Sequence, residues 1–80
     1  MKQITETYHT LEILEDGKVW CRIESGTYRE AFLLAYYGRL SEAIELAERT
    51  RIESYGHMHG VRFRVVTTTK TITVNAGEFE

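Results

Sequence analysis

The stretch Leu11-Glu12-Ile13-Leu14-Glu15-Asp16-Gly17-Lys18-Val19-Trp20-Cys21-Arg22-Ile23-Glu24 decides the fold. Its two halves alternate apolar and polar residues with a period of two, the mark of half-buried strands. Glu15-Asp16-Gly17-Lys18 between them is a turn signal, so the stretch reads as a β-hairpin. Two registers compete. A two-residue Asp16-Gly17 loop pairs Ile13 with Trp20 and Leu11 with Arg22, which seats Arg22 among apolar residues. A three-residue loop, with Gly17 left-handed in a bulge, pairs Ile13 with Val19 and Leu11 with Cys21. Leu11, Ile13, Val19, Cys21 and Ile23 then share one face. A slip of one residue inverts every side chain, so the burial pattern selects the second register. The opposite face of the hairpin carries Tyr8, Thr10, Glu12, Trp20, Arg22 and Glu24.

Outward from the hairpin, the first strand extends back to residue 3, giving strands over 3–14 and 18–24. Gly26-Thr27-Tyr28-Arg29-Glu30 fits a capping box with Thr27 as N-cap and Glu30 reaching back. Apolar residues then recur with a helical period through Ala31, Phe32, Ala35, Tyr36, Leu40, Ala43, Ile44 and Ala47. A competing reading makes 31–37 a strand, but its Ala, Leu and Glu content favours helix. One helix over 28–54 would be about 40 Å long, against a radius of gyration of roughly 12 Å for a compact domain of this length. The helix is therefore expected to break at Gly38, giving helices over 28–37 and 42–54, the second capped by Ser41.

Val61-Arg62-Phe63-Arg64-Val65 alternates again, with Val61, Phe63 and Val65 inward and Arg62 and Arg64 outward. The parity of the apolar positions changes between Val65 and Val66. Two arrangements fit: a second hairpin turning near Thr69-Lys70, or one long strand bent at a bulge. The expected layout takes the hairpin, with strands over 61–67 and 71–75. The fold class is thus α+β, in the order β-β-α-α-β-β, with helices on one face of an antiparallel sheet and the other face open.

The 80 residues suffice for one domain, 1–80, with 76–80 expected as a flexible tail. A hydrophobic share of 42% and a charged share of 28% place the chain among globular proteins rather than disordered ones. The net charge of −2 carries no basic excess, which argues against a dedicated nucleic-acid binder. Cys21 is the single cysteine, so no intrachain disulfide can form. Residues 1–6 lack the apolar core of a secretory signal, and no apolar run is long enough to span a bilayer. A cytoplasmic protein without a membrane partner is expected.

The open face supplies the candidate site: Tyr8, Trp20 and Arg22 from the hairpin, Arg62 and Arg64 from the later strand. Tyr, Trp and Arg are the types enriched at interface hot spots. The plainer reading is that Trp20 shields the sheet under a stacked arginine. Arginine and aromatic side chains on a sheet also suit single-stranded nucleic acid, but Glu12 and Glu24 on the same face would repel phosphate. His57-Met58-His59 spaces two imidazoles as metal ligands sometimes are, yet a site needs a third ligand, and a polar loop between Gly56 and Gly60 explains the pair. Cys21 is expected inward, a poor nucleophile. Ser41 is read as a cap, and Glu42, Glu45 and Glu48 as a solvated helix face. No catalytic set, cofactor or metal is expected.

The chain resembles, in size and layout, the small accessory and anti-defence proteins of phages and mobile elements, the anti-CRISPR kind included. The features concerned are the Glu15–Lys18 hairpin, the helix start Ser41-Glu42-Ala43-Ile44-Glu45 and the closing strands. That group has no common motif, so no residue role transfers. The resemblance implies a non-enzymatic protein that binds and inhibits a protein or ribonucleoprotein partner. A nucleic-acid-binding domain using the same face is the alternative, and a homodimer joined through open faces or sheet edges is a third arrangement.

Overall fold

A computed structural model describes residues 2–24 and 26–74. Its elements run β1 (Lys2–Glu15), β2 (Trp20–Arg22), a 3-10 turn (Gly26–Tyr28), α1 (Arg29–Tyr36), α2 (Leu40–Tyr55) and β3 (Val61–Val74). The fold is α+β with one three-stranded antiparallel sheet in the order β2-β1-β3.

The expected closing hairpin is absent. β3 is one strand of 14 residues, and it pairs with all of β1 in a single unbroken register from Glu15↔Val61 to Lys2↔Val74. No bulge is needed at Val65-Val66. The odd-numbered residues of β3 are apolar only while helices lie over them; from Thr67 onward that face turns to threonine. The expected order is therefore corrected to β-β-α-α-β. The proposed tail at 76–80 lies outside the described residues.

The first hairpin also differs from the expected register. Asp16 and Gly17 are both left-handed, with φ of 56° and 63°. Lys18 N–H donates to Glu15 O at 3.3 Å. This is the two-residue turn that matches strand twist. The ladder, however, pairs Leu14 with Trp20 and Ile13 with Cys21. Val19 is left over as a bulge, 68% exposed. The ladder is shifted by two residues from the expected Ile13–Val19 pairing, and a shift of two preserves the faces. The turn is tied to the start of β3, since Asp16 N–H donates to Gly60 O at 2.7 Å.

Both helices start without the expected caps. Thr27 lies in the 3-10 turn, and Tyr28 precedes α1 with no side-chain cap bond. Ser41 sits inside α2, whose N-cap is Arg39. There Arg39 pairs with Glu42, its Nε donating to Oε1 at 2.9 Å. The break between the helices falls where expected. Gly38 has φ 85°, its N–H donates to Ala35 O, and Arg39 N–H donates to Leu34 O. That pair of bonds closes the carbonyls of the last turn, which an L side chain at Gly38 would strain.

One cluster forms the core: Leu11, Ile13, Ile23 and Val61 from the sheet side, Ala31, Ala35, Ala43 and Ala47 from the helices. Alanines four apart on each helix let the backbones approach the sheet and each other. Tyr28 packs edge-on against Phe63, with ring centroids 5.2 Å apart. Arg51 of α2 lies between Tyr28 OH at 3.5 Å and Glu15 Oε2 at 3.8 Å, over the Tyr55 ring at 4.2 Å. The hydrogen bond to Tyr28 raises the Arg51 pKa further above its ordinary value.

Residues 2–8 and 67–74 contribute nothing to this core. They form a two-stranded ribbon that projects past the helices. The molecule accordingly measures 58 × 24 × 19 Å, with a radius of gyration of 16.8 Å. The strands, and not a helix, overhang.

Gly17→Val forces a β-branched residue into left-handed backbone. It is expected to cost roughly 1–3 kcal/mol in denaturant unfolding, with Gly17→Asn costing clearly less. Ala35→Leu overfills a fully buried core position and is expected to lose a similar amount, about 1–3 kcal/mol, in the same assay.

Candidate protein-binding face

The even-numbered residues of β1 and β3 point away from the helices. With Trp20 and Arg22 of β2 they form two rows across the sheet near the hairpin. One row is Trp20–Leu14–Arg62, and the next is Arg22–Glu12–Arg64. Four of the five candidate residues thus fall on adjacent rungs of the sheet. Trp20 stands on the open side because the ladder shift preserves the faces.

The rows are joined by a diagonal contact. Arg64 places its guanidinium 4.2 Å above the Trp20 ring. The same group donates twice to Glu12 Oε1, from Nη2 at 2.7 Å and Nε at 2.8 Å. The Glu12 side chain is 18% exposed and that of Arg64 47%. Glu12 therefore fixes the guanidinium plane, and the plane covers the indole. The result is a flat plate of aromatic and guanidinium surface whose charge is internally balanced. Cation–π contacts of this kind contribute about 0.5–1 kcal/mol when exposed. Arg22 approaches Glu24 at 3.8 Å, with both side chains largely in solvent, so that pair holds nothing rigidly. Among the described residues Arg62 has no ion-pair partner.

Tyr8 belongs to a different region of the face. It lines a cavity of about 370 Å³ with Thr10, Arg22, Phe32 and Tyr36, on the side of β1 that β2 leaves uncovered. Phe32 and Tyr36 are one helical turn apart in α1, with ring centroids at 6.4 Å. Arg22 alone touches both the cavity and the two-row plate. The sequence places Glu12 on this face, but only as a repulsive charge. Its role as the partner of Arg64 needs the β1–β3 register, which alternation within each strand does not supply. Phe32 and Tyr36 register in the sequence only as helix periodicity.

The remaining groups lie elsewhere. Cys21 is exposed, not inward as expected. β2 is a short edge strand of three residues. The His57 and His59 rings are 5.4 Å apart, and His59 N–H donates to His57 Nδ1 at 3.2 Å. Among the described residues no three His, Cys, Asp or Glu side chains gather as metal ligands would. No helix there is long and apolar enough to cross a membrane.

Comparison of the chain with family models, with curated proteins and with solved structures finds no match. The residues of this face therefore stand on their own geometry.

A double-mutant cycle between Glu12 and Arg64 is expected to give a coupling of about 1 kcal/mol in unfolding free energy. Trp20 is the only tryptophan, so its fluorescence reports the stack directly. Arg64→Ala is expected to shift its emission to the red as the ring gains water, and Arg62→Ala to leave it unchanged.

Proposed function

We propose that this chain is a binding module that docks a protein partner on the open face around Trp20 and modulates it by covering a surface the partner uses. The carrying observation is the Trp20–Arg64–Glu12 contact. It presents the residue types that dominate interface energetics, already oriented, so little side-chain entropy remains to be lost on docking. Arg62 and Arg22 flank the plate as rim charges, where they serve orientation and on-rate more than affinity. A small inhibitor of a host protein or ribonucleoprotein, the kind its size and layout resemble, would act in this way without any catalytic group.

The same contact weighs against the nucleic-acid reading. Phosphate binding needs cations free to replace counterions, and the best-placed guanidinium here is already satisfied by a carboxylate. Glu24 beside Arg22 adds a second negative charge to the face.

Affinity capture from lysate of the native host, with and without nuclease, separates the two. A partner retained after nuclease, and lost more completely by Trp20→Ala than by Arg62→Ala, is the expected result. Retention abolished by nuclease, with a steep salt dependence flattened by replacing Arg62 and Arg64, would transfer the face to nucleic acid.

A further inference from the structure

Among the described residues the projecting ribbon has two unpaired edges, and the one on β1 matches itself. Ile23 N–H donates to Leu11 O at 2.9 Å, so the odd-numbered residues of β1 direct their backbone groups toward the β2 side. β2 pairs only with residues 12–14 in the ladder, with one more bond at Leu11. Among the described residues, the N–H and C=O groups of Gln3, Thr5 and Thr7 therefore face an edge with no strand on it. A two-stranded ribbon without further cover is marginal in water, and a long unpaired edge is a template for another strand.

We propose that this edge is the contact between two copies of the chain, paired antiparallel about a two-fold axis at Ile4. Closed two-fold pairing is the commonest symmetry of homo-oligomers. To keep the faces matched, the register sum of the two paired residues must be even, which leaves few choices. Centring on Glu6 opposes two glutamates. Centring on Thr5 sets Ile4 against Glu6. Centring on Ile4 sets Lys2 of each copy opposite Glu6 of the other, and Gln3 opposite Thr5.

The neighbouring β3 strands extend the match. Ile4 pairs with Ile72 and Glu6 with Lys70 within one chain. The four-stranded sheet would thus carry an unbroken row of four isoleucines, Ile72–Ile4–Ile4–Ile72. Beside it, on each side, runs a row in which the Glu6 carboxylate lies between Lys2 of the other copy and its own Lys70. Ile4 is 39% exposed in the single chain, and this row would shield its flanks from water. The opposite edge, on β3, offers no such match. That strand carries Arg62, Arg64 and Lys70 and no acidic residue, so charge complementarity selects the β1 edge and a second copy as its occupant.

The interface is smaller than those of obligate dimers, so association in the micromolar range or weaker is the regime to examine. Sedimentation of the full chain from about 10 μM to about 1 mM is expected to show a monomer–dimer equilibrium. Lys2→Glu should weaken it at least tenfold, and the full reversal Lys2→Glu/Glu6→Lys/Lys70→Glu should restore it. A cysteine pair reports the register without relying on affinity. In a Cys21→Ser background, Ile4→Cys would place two thiols on a closely spaced pair with Cα atoms about 4.5 Å apart, within disulfide reach. Rapid oxidation to a covalent dimer is expected, with Tyr8→Cys remaining monomeric under the same conditions. A chain that stays monomeric at every concentration, with no crosslink through Ile4→Cys, overturns the proposal. So does crosslinking through Tyr8→Cys at the same rate. Either result leaves the Trp20 face untouched, since that face is tested by partner capture.

Discussion

The ladder between β1 and β3 is the constraint on which the other elements depend. It joins the two ends of the described chain, Lys2 to Val74, and every element between them is an excursion from it. β2 adds three residues to one side. The two helices cross back over one face and return the chain to Val61. Because the paired strands are far apart in sequence, the entropy of closing the loop between them is lost before most of the contacts form. That topology favours slow folding, with local turns assembling first.

The helices cover only half of the ladder, and this division sorts the side chains. Where α1 and α2 lie, odd-numbered positions hold Leu11, Ile13, Val61, Phe63 and Val65. Beyond them the same positions hold Gln3, Thr5, Thr7, Thr69, Thr71 and Thr73, which keep β propensity without demanding burial. Thr7 and Thr69 approach across the strands at 3.4 Å, and His9 meets Thr67 at 2.8 Å. On the other face Glu12, Arg64 and Trp20 converge near the hairpin, while Ile4, Ile72 and Val74 stand among Lys2, Glu6 and Lys70 toward the tip.

The faces of the strands are legible in the sequence; the pairings are not. Alternation assigns Leu11, Ile13, Ile23, Val61 and Phe63 inward and Trp20, Arg62 and Arg64 outward, because a period of two is a local property. The first hairpin pairs two residues away from the register that alternation selects. Left-handed Asp16 allows a turn tighter than a three-residue loop, and Val19 leaves the ladder to compensate. The single long β3 is hidden because Val65-Val66 looks like a change of direction. It marks the point where helix cover ends, a tertiary fact with no local signal. Gly38 announces its own role, since only a residue free to take positive φ closes a helix in that way. The caps at Thr27 and Ser41 are displaced: Thr27 lies within the 3-10 turn ahead of α1, and α2 begins before Ser41. The pairing of Glu12 with Arg64 emerges only once strands 52 residues apart in sequence are aligned.

Lys2 and Val74 stand opposite one another at the tip of the ribbon, farthest from the helices. Tension applied between those two points runs across the strands, along the direction of their hydrogen bonds. The ladder would then open rung by rung, in the manner of a zip, instead of shearing all its bonds together. The exposed threonine rungs would yield first and the Leu11–Val65 rung later. Mechanically the molecule is graded, with a compliant tip leading to a stiff, helix-backed end.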